Sequence, residues 1–195
     1  MWTLTGFADE ISPDLDEQVE TLRAENMRWL ELRGVWDTNV LDLTDEQVER
    51  TRQTLAEAGI GVSSIGSPIG KIGIEDDFAP HLERFHRAIE LAHRFETPFI
   101  RIFSFFIPEG DDPARHRDAV IDRLGQLVAA AEGQNVTLLH ENERHIYGDV
   151  PDRCVDILQA IDSPIFRAVW DPANFVLCGV QPHAEGYEQL RQYIA

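Results

Sequence analysis

Two acidic residues end apolar stretches that could be neighbouring strands: Glu141 in the run LHENE (Leu139 to Glu143) and Asp171 in WDPANF (Trp170 to Phe175). Carboxylates that close adjacent parallel strands point into one mouth, where their oxygens can share a hard divalent cation such as Mg2+ or Mn2+. Such an ion can bridge two oxygens of a hydroxy-carbonyl sugar and stabilise the enediolate formed on proton removal. A carboxylate is then left to move the proton. Other polar residues gather at the ends of further apolar stretches. Lys71 and Ser67 lie after the third, where an ammonium could meet a sugar hydroxyl or phosphate. Lys71 is the only lysine of the chain. Glu31, Arg33 and Arg101 lie on the second and fourth stretches; a buried arginine there needs a carboxylate, with Glu10, Glu31 and Glu141 in range, and reads equally as an ion pair or a substrate contact. Asn174, one turn after Asp171, reads as a ligand to substrate or metal-bound water, or as a helix cap. Strand alternation turns His140 away from the direction of Glu141, as a core histidine or a partner behind that ligand.

The elements that must hold these groups repeat. Apolar, β-branched stretches begin at Trp2, Trp29, Ile60, Pro98, Val136 and Phe166, 27 to 38 residues apart, and segments of helical periodicity separate them. The predicted strands are Trp2 to Phe7, Trp29 to Arg33, Ile60 to Ile65, Pro98 to Phe103, Val136 to His140 and Phe166 to Trp170. Ser12 followed by Pro13 predicts the start of a first helix, and Thr44 with Gln47 a capping box for a second, which Gly59 ends. Val120, Leu124, Leu127, Val128 and Ala131 form the stripe of a fourth helix, and Val155, Leu158 and Ile161 that of a fifth. Alternation of this kind predicts a parallel sheet. No GxGxxG follows the first stretch and no GxxxxGK[ST] occurs, so an open nucleotide-binding sheet is disfavoured. Polar groups at nearly every strand end point instead to a (β/α)8 barrel of which six β/α units fit into residues 1–195, the chain reaching Ala195 where a seventh strand would begin. On that reading the domain is a barrel ending before its seventh strand, with an open edge that invites a homo-oligomer.

Composition narrows the partners. Seventeen basic against thirty-five acidic residues give a formal charge of -18, which repels phosphodiester backbones and anionic membranes and argues against nucleic acid. There is no apolar run of membrane-spanning length, and Cys154 and Cys178 form neither a disulfide framework nor a metal motif; a cytoplasmic protein is expected. The mean hydropathy of -0.26 is that of an ordinary globular chain.

Six segments together resemble the sugar phosphate isomerase/epimerase family of xylose isomerase-like TIM barrels: GFADEIS (Gly6 to Ser12), LELRGVW (Leu30 to Trp36), GSPIGKI (Gly66 to Ile72), IRIFSFF (Ile100 to Phe106), HENERHIYGDVPDRC (His140 to Cys154) and WDPANFVLCG (Trp170 to Gly179). This superfamily also holds inosose-processing enzymes, ketose 3-epimerases and endonuclease IV. The resemblance implies metal-dependent proton transfer on a small sugar, sugar phosphate or polyol. Mn2+ or Mg2+ is the expected cofactor, with Zn2+ or Co2+ as alternatives; Glu141 and Asp171 are the matching ligands, and Glu141 is also the matching acid/base. It further implies a histidine and a second glutamate from a seventh and an eighth strand. The alternatives are an inosose-type dehydratase, which shares the first step, and an inactive scaffold. Endonuclease chemistry would need a histidine-rich zinc site and a basic face, and the sequence offers neither.

Overall fold

The computed structural model describes residues 3–195. They group into two compact units, the first comprising the chain up to Ser67 with Arg87–Ile100 and the second Pro68–His86 with Arg101–Ala195.

The first unit opens with α1 (Leu15–Ala24), then β1 (Trp29–Leu32), the short β2 (Gly34–Val35) and β3 (Thr38–Asn39), α2 (Asp45–Ala58) and β4 (Gly61–Ile65). β1 and β4 run parallel, with Leu30 opposite Val62 and Leu32 opposite Ile65. Ile65 in turn pairs in parallel with Ile100, in the first half of β5 (Phe99–Ile102). Leu30, Leu32, Val62 and Ile65 are buried, and α2 lays Val48 and Leu55 into the same core. The capping box holds as the sequence predicts: Gln47 N–H donates to Thr44 Oγ1 at 3.2 Å, and Thr44 N–H donates to Gln47 Oε1 at 2.9 Å. Gly59, at φ 69°, then ends the helix in the left-handed conformation that lacks a steric cost only for glycine.

Three expectations change here. Asp14, not Ser12, caps α1, its Oδ1 accepting from the N–H groups of Asp16 at 2.9 Å and Glu17 at 3.2 Å. The chain stays extended through Asp14 (φ -78°, ψ 126°), so the helix starts later, where a full negative charge also suits the helix dipole. Of the predicted strand Trp2 to Phe7, Trp2 lies outside the described residues, and Thr3 to Phe7 carry no strand. They still neighbour β1, since Glu31 N–H donates to Gly6 O at 3.0 Å. The β2–β3 hairpin has no counterpart in the expected pattern; it turns through Trp36 and Asp37, both at positive φ.

The second unit contains the end of β5, α4 (Arg117–Ala131), β6 (Thr137–Glu141), α5 (Pro151–Ile161), β7 (Phe166–Val169) and α6 (Pro172–Leu177); α3 (Ala79–Arg94) starts in this unit and finishes in the first. β6 and β7 pair in parallel from Leu138 opposite Phe166 to Glu141 opposite Val169. α4 buries the five residues its periodicity predicts. On α5 the buried stripe is Pro151, Cys154, Ile157 and Leu158, because the proline at the helix start is itself packed inside and sets the phase; Val155 and Ile161 are half-buried. The outer edge of β7 is not bare as the sequence suggests. Ala168 N–H donates to Tyr193 O at 2.9 Å, and Ala195 N–H donates to Ala168 O at 3.2 Å, a parallel pairing centred on Ile194. Among the described residues no helix is long and apolar enough to cross a membrane.

Candidate active site

Six of the predicted site residues, Lys71, Arg101, His140, Glu141, Asp171 and Asn174, fall in the second unit, whereas Glu31, Arg33 and Ser67 belong to the first.

Glu141 is the last residue of β6 and its side chain is only 11% exposed. Arg101 Nη1, from β5, donates to Glu141 Oε2 at 3.3 Å, so this arginine takes the ion-pair reading. Burial pushes the Glu141 carboxyl above the ordinary carboxylate range. Arg101 opposes that shift, the charges of Asp171 and Glu143 add to it, and Lys71 opposes it. A carboxyl so placed is not a solvated surface charge.

Asp171 follows β7 and caps α6. Its Oδ1 accepts from Ala173 N–H at 2.7 Å and Asn174 N–H at 3.0 Å, and its Oδ2 accepts from the Asn174 side-chain amide at 3.0 Å. Asn174 also donates to Asn142 O at 3.0 Å. The Asn174 side-chain NH2 thus ties Asp171 to the residue after β6.

Two partners escaped the sequence reading. Asn142 exchanges two hydrogen bonds with the Asp171 backbone, and Glu143 lies with its Oε2 2.8 Å from Lys71 Nζ. Both stand in the HENE run, and that run was the available signal.

His140 is 1% exposed, packed against Phe166 with ring centroids 6.2 Å apart, and burial alone drives its pKa down to about 4. Among the described residues neither ring nitrogen has a hydrogen-bond partner. A Cβ on Gly148 would lie 2.4 Å from His140 Cε1, so the loop after β6 closes directly over the ring. This histidine is a neutral core group behind Glu141. In the first unit Arg33 is likewise engaged as an ion pair, Nε to Asp9 Oδ2 at 2.7 Å and Nη2 to Glu10 Oε1 at 3.1 Å, with its guanidinium over the Phe7 ring. Ser67 is buried, and Glu31 half-buried on β1.

Glu141 and Asp171 suit a hard divalent cation in kind, since both are carboxylates and the charge of Asp171 raises the cost of ionising Glu141, a repulsion that a cation relieves. They are two donors. Among the described residues no group of three or more His, Cys, Asp or Glu is placed to hold a metal ion. Alone they would supply fewer oxygen donors than such a cation takes.

A profile of the Xylose isomerase-like TIM barrel family matches residues 19–194. The chain belongs to the xylose isomerase-like TIM barrel family. Solved structures of this architecture are similar along nearly the whole chain. A Mycobacterium smegmatis xylose isomerase-like TIM barrel protein in complex with magnesium superposes with a TM-score of 0.76 at 22% identity, over 99% of this chain and 72% of its own. The probable 3-DHS dehydratase AsbF of Bacillus anthracis, involved in petrobactin synthesis, gives 0.76 at 21%, over 92% and 65%. A D-tagatose 3-epimerase-like protein gives 0.78 at 18%, over 97% and 72%. The chain thus spans about two thirds of the length of these barrels. No curated protein matches. At these identities the likeness establishes the family's α/β barrel fold for the parallel strands and helices described above.

Proposed function

We propose that this xylose isomerase-like chain takes part in isomerising or epimerising a small sugar, sugar phosphate or polyol by carboxylate-mediated proton transfer. The observation that carries the proposal is Glu141: buried, held by Arg101, raised in pKa, and ending the strand beside the one that leads into Asp171. Glu141 removes the proton from the carbon beside the carbonyl and holds it on a carboxyl oxygen. Delivery to the neighbouring carbon gives an isomer. Arg101 fixes the carboxylate from behind, and Lys71 meets a substrate oxygen. Asp171, aimed by Asn142 and Asn174, and Glu141 would hold a divalent cation, Mg2+ or Mn2+ before Zn2+ or Co2+; when bound, that ion supplies polarisation of the hydroxy-carbonyl oxygens. Buried and half-buried free thiols at Cys154 and Cys178 suit a cytoplasmic setting.

The test is proton NMR in D2O with ketopentoses, ketohexoses, their phosphates and an inosose, in the presence of Mg2+ or Mn2+. Deuterium should enter beside the carbonyl, and Glu141→Gln should abolish its entry. Loss of water without exchange of the starting sugar would assign dehydration instead. Absence of both across the series would defeat the proposal.

A further inference from the structure

Lys71 sits on a rail. Phe103 N–H donates to Ile69 O at 2.8 Å, Phe105 N–H to Gly70 O at 3.0 Å and Phe106 N–H to Ile72 O at 2.8 Å, so the loop that carries the lysine is bonded along its length to the segment after β5. Gly70 comes so close that a Cβ would lie 2.0 Å from Phe103 O. The lysine itself is held twice more: Nζ lies 4.3 Å from the centroid of the Phe103 ring and 2.8 Å from Glu143 Oε2. Arg101 lies over the same ring at 4.9 Å while it holds Glu141. One buried phenyl ring therefore gathers two cations, and each cation has its own glutamate.

The two pairs differ in access. Arg101 and Glu141 are 7% and 11% exposed, whereas Lys71 and Glu143 are 33% and 25% exposed. An ammonium carries three N–H donors, and Glu143 stands beside it as a charge partner. A cation held this firmly, partly open and beside a proton-accepting carboxylate, is built for an oxygen on which negative charge develops.

We propose that Lys71 is a catalytic residue that hydrogen-bonds the developing oxyanion of the substrate, and that Glu143 is the positioning residue that holds its ammonium in place. This rests on the proton-transfer reading above. Glu141 takes the proton from carbon, the C–H electron pair becomes the new carbon–carbon π bond, and the carbonyl π pair moves to oxygen, where the Lys71 N–H meets it. No proton need leave Lys71, and no further reactant is required.

The sole lysine makes a direct test available. Incorporation of 13C-lysine labels Lys71 alone in the full chain, and its Cε signal is followed in EDTA as glycolohydroxamate, an enediolate mimic, is added. Glycolamide serves as the neutral control. The signal should shift with the hydroxamate and not with glycolamide; Glu143→Gln should remove the shift, and Glu143→Asp should restore part of it. In the exchange assay with metal, Lys71→Met, which keeps the stem over Phe103, should lower kcat about 100-fold with KM changed far less. A Lys71 signal that ignores the hydroxamate, or Lys71→Met exchanging at the parent rate, overturns the inference while leaving Glu141 as the base. A shifted Lys71 signal in a chain that exchanges no sugar supports the oxyanion contact and removes the proton-transfer reading instead.

Discussion

The side-chain amide of Asn142 meets the Asp171 backbone with both its ends: Nδ2 donates to Asp171 O, and Asp171 N–H donates to Asn142 Oδ1, each at 2.9 Å. The residue after Glu141 thereby fixes Asp171, two residues past β7. Asn142 is 1% exposed, and its loss would leave the Asp171 N–H without this partner and a gap where the buried amide packs. Asn142→Ala should cost about 2 kcal/mol in urea unfolding, the scale for leaving buried polar groups unpaired. It should also weaken Mn2+ binding measured by electron paramagnetic resonance.

The cap of α6 and the proposed cation ligand can be separated at Asp171. As the cap it needs an acceptor oxygen, and asparagine supplies one; the proposed ligand role needs charge. Asp171→Asn should therefore unfold within about 0.5 kcal/mol of the parent while losing Mn2+ affinity at least tenfold. Asp171→Ala should lose the affinity together with about 1 kcal/mol of stability. Equal Mn2+ binding by the parent and Asp171→Asn would show that this carboxylate holds no metal.

Gly70 tests the lysine rail. At φ 90° and with Phe103 O 2.0 Å from the site of a Cβ, it admits neither the backbone strain nor the volume of alanine. Gly110 also has positive φ (79°), yet a Cβ there meets nothing within 4 Å. Gly110→Ala should thus cost about 1 kcal/mol, the conformational part alone, and Gly70→Ala more than about 3 kcal/mol. Thermal unfolding of the pair by circular dichroism separates the two contributions. Similar melting temperatures would mean that the loop bearing Lys71 moves aside freely.

The same loop predicts a pH response. Gly70 N–H donates to Nε2 of His81 at 2.7 Å, so the imidazole must be neutral there. Burial pulls its pKa from 6.5 down to about 4, helped by the charges of Arg84 and Arg123. Because the folded value is the lower one, the unfolded chain binds the extra proton between pH 6.5 and 4. Stability from this group is complete above pH 6.5 and falls as pH drops through that window, at most by about 1.4 kcal/mol per pH unit. His81→Gln keeps an acceptor and cannot titrate. Urea midpoints between pH 7 and 5 should fall less for His81→Gln than for the parent, and identical slopes would count against a buried neutral His81.

Local signals in the sequence settled a good part of this protein. Strand-length apolar runs and the Thr44–Gln47 box record burial and hydrogen bonding within a few residues, so β1, β4, β5, β6, β7 and the α4 stripe were legible within a residue or two of their ends. So were Glu141 and Asp171 as strand-end carboxylates. What tertiary structure decided was which groups meet. Arg101 takes Glu141 rather than a carboxylate nearer in sequence, Arg33 takes Asp9 and Glu10, and Asn174 is drawn into holding Asp171. His140 proves to be sealed under Gly148, and Lys71 finds Glu143 seventy-two residues further on, across the Phe103 ring. Periodicity cannot encode these partnerships, because a side chain's partner depends on the register of parallel strands and on the path of the loops between them. Ion pairs and hydrogen bonds form only where those long-range choices bring charge to charge.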